Sequence, residues 1–122
     1  MKNLVWERSG GYFVKRVTVG ATIVAGDPVE IVDLHGVAVT SYSADDGKAD
    51  VAFSGIDFVQ DVPVEAVDNA GNSAIAIGDK LYYDTAAVIK VNKDVTNGKL
   101  YGYALEAVSA GASDTINVAC VN

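Results

Sequence analysis

The chain has 122 residues, a formal net charge of −7 and hydrophobic residues at half of its positions. A chain of this length forms one domain with its own core, and this composition excludes wholesale disorder. No apolar run reaches the roughly 20 residues that cross a bilayer, and residues 1–13 lack the apolar stretch and cleavage site of a signal peptide. We therefore expect no membrane association. The single cysteine, Cys120, has no partner for an internal disulfide.

The charge is unevenly distributed along the chain. Residues 1–16 contain four basic and one acidic residue, a balance of +3, whereas residues 17–122 contain five basic and fifteen acidic residues, a balance of −10. An acidic body repels phosphate backbones, so we expect no nucleic-acid partner. The charge pattern divides the chain into an N-terminal arm (1–16) and a body (17–122). It predicts that the arm docks on something acidic, such as a neighbouring copy.

Alternation of apolar and polar residues predicts strands nearly throughout the body. In "KADVAFSG" the side chains of Ala49, Val51 and Phe53 share one face. "DTINVACV" alternates in the same way, and its predicted inward residues are Ile116, Val118 and Cys120. No segment has a helical stripe over three turns, and "VPVEAVDNAG" could form one helical turn at most. The fold class predicted is therefore all-β, a small single-domain barrel.

Turn motifs punctuate the predicted strands. Asn97-Gly98 predicts a tight two-residue hairpin, which needs positive φ at both central positions. Gly26-Asp27 and Gly78-Asp79 predict structural turns in which Gly takes an angle that other residues avoid and the Asp carboxylate binds a nearby N–H.

Two stretches of the chain resemble each other. The Gly-Asp pairs lie 52 residues apart, "GVAV" and "GYAL" lie 66 apart, and "KADVAF" and "TINVAC" lie 67 apart. The second stretch carries a longer hairpin around residues 92–99. We interpret the repeat as two similar β-units within one barrel, with an extended arm before them.

The arm combines apolar and basic residues before a Gly10-Gly11 break. An exposed Trp on a free terminus is unusual, and burying such a side chain is worth about 1.5–3 kcal/mol or more. Either this segment forms the first strand of its own barrel, or it adds to a sheet edge of another chain. The residues predicted to contact a partner are Leu4, Val5, Trp6, Arg8, Tyr12, Lys15 and Arg16.

Catalytic and metal-binding motifs are weakly represented. Asp27 and His35 could form an acid–base pair, but the chain has no second His and no recognisable nucleophile elbow. One His and one Cys are poor evidence for zinc. "DDGKAD" (45–50) lacks the complete pattern of a calcium loop, which favours a solvated turn. No phosphate-binding loop occurs, so we expect no catalytic, cofactor or metal site.

Four tyrosines and the cysteine allow two interpretations. Strands with paired aromatics are typical of a core or subunit interface, although the same side chains could line a ligand groove. These residues are Tyr82, Tyr83, Tyr101 and Tyr103. Cys120 alternates with Ile116 and Val118, which predicts a core thiol rather than a reactive one.

The order of the motifs "VAGDPVEI", "GVAVT", "VAFSG", "AIGDKLYYD" and "GYALEA", followed by an alternating final strand, resembles one family. It is similar to the capsid-cement (head decoration) proteins of tailed bacteriophages, formerly a domain of unknown function. The resemblance runs from about residue 17 to the C-terminus. The hairpin through "VIKVNKDVTNGKL" and the lead-in "WERSGGYFVKR" are longer than usual.

The resemblance implies a β-barrel of the β-tulip kind, made in the host cytoplasm and located in the virion. It implies a homotrimer on the outer face of an icosahedral head, where it clamps the lattice of the major capsid protein. It transfers no catalytic residue and no cofactor, and so implies a protein that is not an enzyme. Two alternatives remain: a tail or fibre module, and a small-molecule-binding barrel that uses the four tyrosines with Asp27 or Asp79.

Overall fold

The computed structural model describes residues 12–54 and 59–121. Their regular structure consists of β-strands, with no helix among them, which confirms the all-β prediction. The strands are β1 (Tyr12–Thr18), β2 (Pro28–Ile31), β3 (Leu34–Ala38), β4 (Lys48–Ser54), β5 (Val59–Glu65), β6 (Val67–Asp68), β7 (Gly71–Asn72), β8 (Lys80–Tyr83), β9 (Val91–Asn92), β10 (Lys99–Ala104) and β11 (Ser113–Cys120).

The strands form an open sheet, a closed barrel and a short ribbon. The open sheet has the order β1-β4-β3-β2, the barrel closes through β10-β11-β5-β9-β8, and β6 pairs with β7. All pairings are antiparallel except the bridge between β5 and β9. Four of the five barrel strands, in the spatial order β5-β11-β10-β8, follow the same plan as β1-β4-β3-β2 in the open sheet.

The barrel consists only of strands from β5 onward, so the prediction of one barrel containing both units is wrong. The difference lies in the connection between paired strands. β2 and β3 are joined by Val32 and Asp33, whereas β8 and β10 are joined by residues 84–98, which include β9. β9 pairs with β8 on one side and, at Val91, with Val64 of β5 on the other. The longer hairpin therefore closes the barrel, and the first sheet stays open because its hairpin is too short to supply such a strand.

The predicted alternation is confirmed in both long inner strands. Val51 of β4 and Val118 of β11 are fully buried, whereas Thr115 and Asn117 of β11 are exposed. "VPVEAVDNAG" forms the end of β5, all of β6 and the start of β7, with no helical turn. The main core fills the barrel and the space below the sheet: Val37, Ala52, Val62, Val64, Ala66, Ile75, Leu81, Tyr83, Val91, Tyr101, Ala104, Val108, Ile116, Val118 and Cys120.

A second, smaller core covers the other face of the open sheet. It consists of Val29, Ala38, Val51 and Phe53, against which Val17, Val19, Ile23 and Ile31 pack. Neighbouring residues on β3 and β4 therefore point to different cores, because successive side chains of a strand point to opposite faces of its sheet. This explains why these strands are apolar on both faces.

Two glycines allow the strands of each unit to approach closely. A Cβ at Gly36 would clash with the carbonyl oxygen of Ala52 and lie 2.9 Å from Val51 Cγ1. A Cβ at Gly102 would clash in the same way with Ala119 and lie 3.0 Å from Val118 Cγ1. The two sites are 66 residues apart, as the repeat requires, and neither has space for a side chain.

Candidate functional site

The first strand carries three of the residues predicted to contact a partner. Tyr12, Lys15 and Arg16 lie in β1, which pairs with β4 along its length. Lys15 is exposed. The predicted boundary between residues 16 and 17 falls inside this strand. Contact of these three residues with a partner, and the position of that boundary, stay predictions. Four further residues lie outside the described part of the chain, namely Leu4, Val5, Trp6 and Arg8.

Arg16 binds the acidic turn that connects β3 and β4. Its Nε and Nη2 donate to the two carboxylate oxygens of Asp46 at 2.7 and 3.1 Å, and its Nη1 lies 3.3 Å from Asp50 Oδ1. The hydrogen bonds from Arg16 lower the pKa of Asp46, and the Lys48 N–H adds to this effect. Because the groups are exposed, the pairs stabilise the fold only modestly.

Two of the three carboxylates considered for calcium thus bind an arginine. A backbone hydrogen bond closes the turn formed by residues 43–47, in which the Gly47 N–H donates to the Ser43 carbonyl at 2.8 Å. Within residues 12–54 and 59–121, no group of three or more His, Cys, Asp or Glu side chains is placed to hold a metal ion.

The first Gly-Asp turn has the predicted geometry. Gly26 has a φ of 93°, and the Val24 N–H donates to Asp27 Oδ2 at 3.0 Å. The Gly26 N–H donates to the Ala38 carbonyl at 2.8 Å, and the Ala38 N–H returns a bond to the Asp27 carbonyl at 2.8 Å. The turn therefore fastens the start of β2 to the end of β3.

The second Gly-Asp turn repeats this arrangement bond by bond. Gly78 also has a φ of 93°, and the Ala76 N–H donates to Asp79 Oδ2 at 2.8 Å. The Gly78 N–H donates to the Ala104 carbonyl at 2.7 Å, and the Ala104 N–H donates to the Asp79 carbonyl at 2.9 Å. The Ala76 N–H, with help from Lys93 at 3.3 Å, lowers the pKa of Asp79. Both turns hold the two paired strands of their unit in register.

The Asn97-Gly98 turn exists but not in the predicted form. Neither residue has a positive φ, so this is not the tight hairpin that the dipeptide favours. Asp94 organises the turn: its Oδ1 accepts the N–H groups of Thr96 and Asn97, and its Oδ2 accepts Asn97 Nδ2 at 2.8 Å. Gly98 is needed because a Cβ there would lie 2.8 Å from Tyr82 Cβ. The insertion containing β9 replaces the two-residue loop that the motif suggested.

A buried polar junction joins the open sheet to the barrel. The Tyr101 hydroxyl donates to the Gly36 carbonyl at 2.8 Å. His35, also buried, places Nε2 2.7 Å from Glu30 Oε2. The His35 ring stands edge-on to Tyr101 at 5.5 Å and tilted to Tyr83 at 6.1 Å. Edge-to-face pairs of this kind are worth about 0.5–1.5 kcal/mol beyond the area they bury.

The two residues that meet here occupy equivalent positions. His35 and Tyr101 are 66 residues apart and each precedes the close-approach glycine of its unit. Sequence analysis did not identify this contact, although the repeat offset would have paired the two positions. The junction shows that the two units pack against each other through matching strands, β3 and β10.

The tyrosines do not share a surface. Tyr101 is fully buried, Tyr83 nearly so, and Tyr82 and Tyr103 are half-buried on their strands. Burial raises the pKa of Tyr101 well above its usual value, and the neighbouring Cys120 adds to this. The Cys120 thiol has its pKa raised to about 11 by burial. Its side chain is fully buried in the main core, which confirms the prediction of a core thiol.

One cleft of about 370 Å³ lies beside the junction. Asp27, Pro28, Tyr83 and Lys90 are among the residues that line it. Burial raises the pKa of the Tyr83 phenol, with smaller contributions from Glu30 and Asp27. The Asp27 carboxylate caps its own turn, and His35 pairs with Glu30, so both residues of the considered acid–base pair have structural contacts.

The fold and these contacts define an all-β module whose polar groups hold turns, strands and units in place. In the described ranges, no helix is long and apolar enough to span a membrane. The sequence profile described as phage cement protein matches residues 9–120. The chain therefore belongs to the phage cement protein family, a family of structural proteins and not of enzymes. Comparison with curated proteins found no match, and comparison with solved structures found none either.

Proposed function

We propose that this protein decorates the outer surface of a tailed-phage head and stabilises the lattice of the major capsid protein. The observation that carries the proposal is the family match, which spans nearly the whole chain. Membership implies association with the capsid and a place in the virion. The acidic body supports an outer position, since it has no electrostatic affinity for packaged DNA.

The stabilisation follows from mass action. A protein that binds only the assembled lattice shifts the equilibrium toward that lattice, by about 2.7 kcal/mol per site at one hundred times Kd. Several contacts made at once by one oligomer add avidity, provided that its geometry matches the lattice. No covalent bond is made or broken in this mechanism, so it needs neither a catalytic residue nor a cofactor.

The proposal includes a homotrimer of β-tulip subunits whose arm, residues 1–16, reaches the capsid or the adjacent subunit. Two features support it. In the described chain the open sheet ends in β1 and β2, each with one unpaired edge to which an extended segment can add. The arm is basic and the body acidic, so an arm and a neighbouring body attract each other.

The cleft beside Tyr83 provides the basis for an alternative, a small-molecule-binding barrel. Of the four tyrosines only Tyr83 is among its lining residues, and Asp79 binds Ala76 and Lys93 instead. A tail or fibre module is the other alternative. A tail or fibre module differs from a cement protein in its copy number per particle. A small-molecule-binding barrel differs in showing a ligand-dependent rise in Tm.

Electron microscopy of the native particle tests the proposal. We expect density for hundreds of copies on the outer face of the head, arranged with the symmetry of the shell. Purified protein should also bind expanded heads that lack it. Density confined to the tail, in a few copies, would assign the protein to the tail or fibre instead. A ligand-induced rise in Tm without binding to heads would favour the small-molecule barrel.

A further inference from the structure

The tip of the β2–β3 hairpin combines exposure with an unfavourable backbone angle. Val32 has a φ of 57°, and it is the one non-glycine residue with positive φ in the described ranges. Its side chain is 77% exposed, and Leu34, on the other side of Asp33, is 46% exposed. We refer to residues 31–34 as the hairpin knob.

A valine at this position is costly in the isolated protein. The left-handed region places Cβ close to the following carbonyl, at about 1–2 kcal/mol for an ordinary residue, and a β-branched side chain is an outlier there. Asn or Gly would form the same turn with less strain. An exposed valine also gains nothing from burial within its own chain. The fold therefore exposes the apolar Val32 side chain to solvent at a cost in stability.

The barrel contacts the hairpin knob through Lys99. Lys99 of β10 donates from Nζ to the Val32 carbonyl at 3.1 Å and to Asp33 Oδ1 at 2.9 Å. These bonds link the tip to a strand 66 residues further along and orient the knob toward the barrel, with the modest strength of an exposed pair. They also pair the charge of Asp33 with that of Lys99, so the exposed tip carries the apolar Val32 beside an exposed, oppositely charged pair.

The second unit has no such feature. The position equivalent to Val32, 52 residues later, is Asp84, which is buried and begins the insertion that contains β9. Its Oδ1 accepts the Ala86 N–H at 3.0 Å, as a turn residue. The exposed, strained tip is thus specific to the first unit and is not a consequence of the repeat.

We propose that the hairpin knob is a docking element that inserts Val32 and Leu34 into an apolar pocket on the outer surface of the capsid lattice. This inference rests on the proposed function and adds the surface that makes the contact. Strained backbone is concentrated at ligand clamps and binding sites, where the contact compensates for the strain. The exposed valine with a positive φ matches that pattern.

The size of the patch favours the lattice over a second copy as its partner. Two partly exposed aliphatic side chains present on the order of 200 Å², whereas a stable pairwise interface buries roughly 800 Å² per partner. So small a contact is effective when it is repeated by several linked subunits on a regular lattice. The knob is therefore suited to reinforce lattice binding and not to hold an oligomer together.

Three full-length variants test the proposal against the wild type, by sedimentation with expanded heads that lack this protein. Val32→Asn relieves the strain and removes the apolar group, so we expect Tm to rise by roughly 2–6 °C and apparent affinity for heads to fall at least about tenfold. Val32→Thr keeps the branched shape and the strain, so it should lose affinity without the rise in Tm. Val88→Asn, at a position 98% exposed outside the knob, should leave affinity unchanged.

The outcomes separate this inference from the proposed function. Wild-type protein that fails to bind heads would overturn the proposed function, and the inference with it. Wild-type binding together with unchanged affinity of both Val32 variants would overturn the inference alone. A change in the oligomeric mass of Val32→Asn in solution would also overturn it, by assigning the knob to contact between copies.

Discussion

The hydroxyl of Tyr101 donates a hydrogen bond to the carbonyl oxygen of Gly36, 2.8 Å away and fully buried. Tyr101 belongs to the barrel and Gly36 to the open sheet, so this bond joins the two units at their equivalent strands. The same glycine is held against Ala52 within its own sheet. The same residue of β3 therefore packs closely against β4 in its own sheet and accepts the hydrogen bond from the barrel.

Tyr101→Phe tests this junction. The substitution removes the buried hydrogen bond to the Gly36 carbonyl, and we expect the free energy of unfolding to fall by about 1–3 kcal/mol. Urea denaturation followed by tyrosine or tryptophan fluorescence measures the change. Tyr82→Phe, at a half-buried position, is the control and should change stability by less than about 0.5 kcal/mol. Equal effects of the two variants would contradict a special role for Tyr101.

Alanine at Gly36 or Gly102 should destabilise the protein strongly. In each case the added Cβ meets a backbone carbonyl of the adjacent strand, which cannot move without breaking the sheet. We expect a loss of about 2 kcal/mol or more for each variant, because overpacking displaces the backbone. Gly20→Ala is the matched control, since nothing lies within 4 Å of a Cβ there. Thermal unfolding followed by circular dichroism distinguishes the three.

Removing the carboxylate from either Gly-Asp turn should have a similar effect in both units. Asp27→Ala and Asp79→Ala each lose a bond to a backbone N–H three residues earlier, at 3.0 and 2.8 Å. We expect each to lower the free energy of unfolding by about 1 kcal/mol. The turns lie in different units, so the double variant should show additive losses. A large effect at one turn and none at the other would show that the two bonds are not equivalent.

The pKa of Asp79 predicts a pH dependence of stability. Its folded-state pKa is lowered, first by the Ala76 N–H and then by Lys93. Its contribution is therefore present above the unfolded pKa of about 3.9 and is lost as pH falls toward the folded value. In Asp79→Asn, stability should decline less steeply below about pH 4 than in the wild type. Lys93→Met should retain most of the slope, and equal slopes in all three proteins would contradict the assignment.

Deleting residues 1–9 should separate folding from docking. β1 begins at Tyr12, so the deletion leaves every described strand intact. We expect an unchanged Tm and oligomeric mass, together with loss of binding to expanded heads, because the deletion removes Trp6, Arg8 and the apolar residues beside them. Unchanged occupancy of the heads would remove the arm from the mechanism. A fall in Tm would instead indicate that this segment belongs to its own chain's fold.

Local patterns predicted much of the fold. The alternation in β4 and β11 placed Val51 and Val118 inward, and the repeated Gly-Asp pairs predicted two turns whose hydrogen bonds proved equivalent. These predictions hold because they depend on interactions within a few residues or on the period of a strand. The burial of Cys120 followed from the same period.

Other features depend on contacts that no local pattern encodes. Asn97-Gly98 favours a tight hairpin, but Asp94 and the pairing of β9 impose a different turn. Closure of the barrel rests on the parallel bridge between Val64 and Val91, which are far apart in the chain and carry no distinguishing motif. The positive φ of Val32 likewise contradicts its intrinsic preference, and Lys99 of the other unit binds the Val32 carbonyl.

The amino-acid sequence by itself determined the strands, the two Gly-Asp turns, the repeat and the family, because each of these is written in short-range periodicity or in motif order. Only the tertiary structure decided that the second unit closes into a barrel while the first stays open. It also decided that His35 and Tyr101 meet, and that Val32 is exposed in a strained turn. Those outcomes depend on which distant strands come together. Every residue except proline carries the same backbone donor and acceptor, so residue identity does not specify which strands pair.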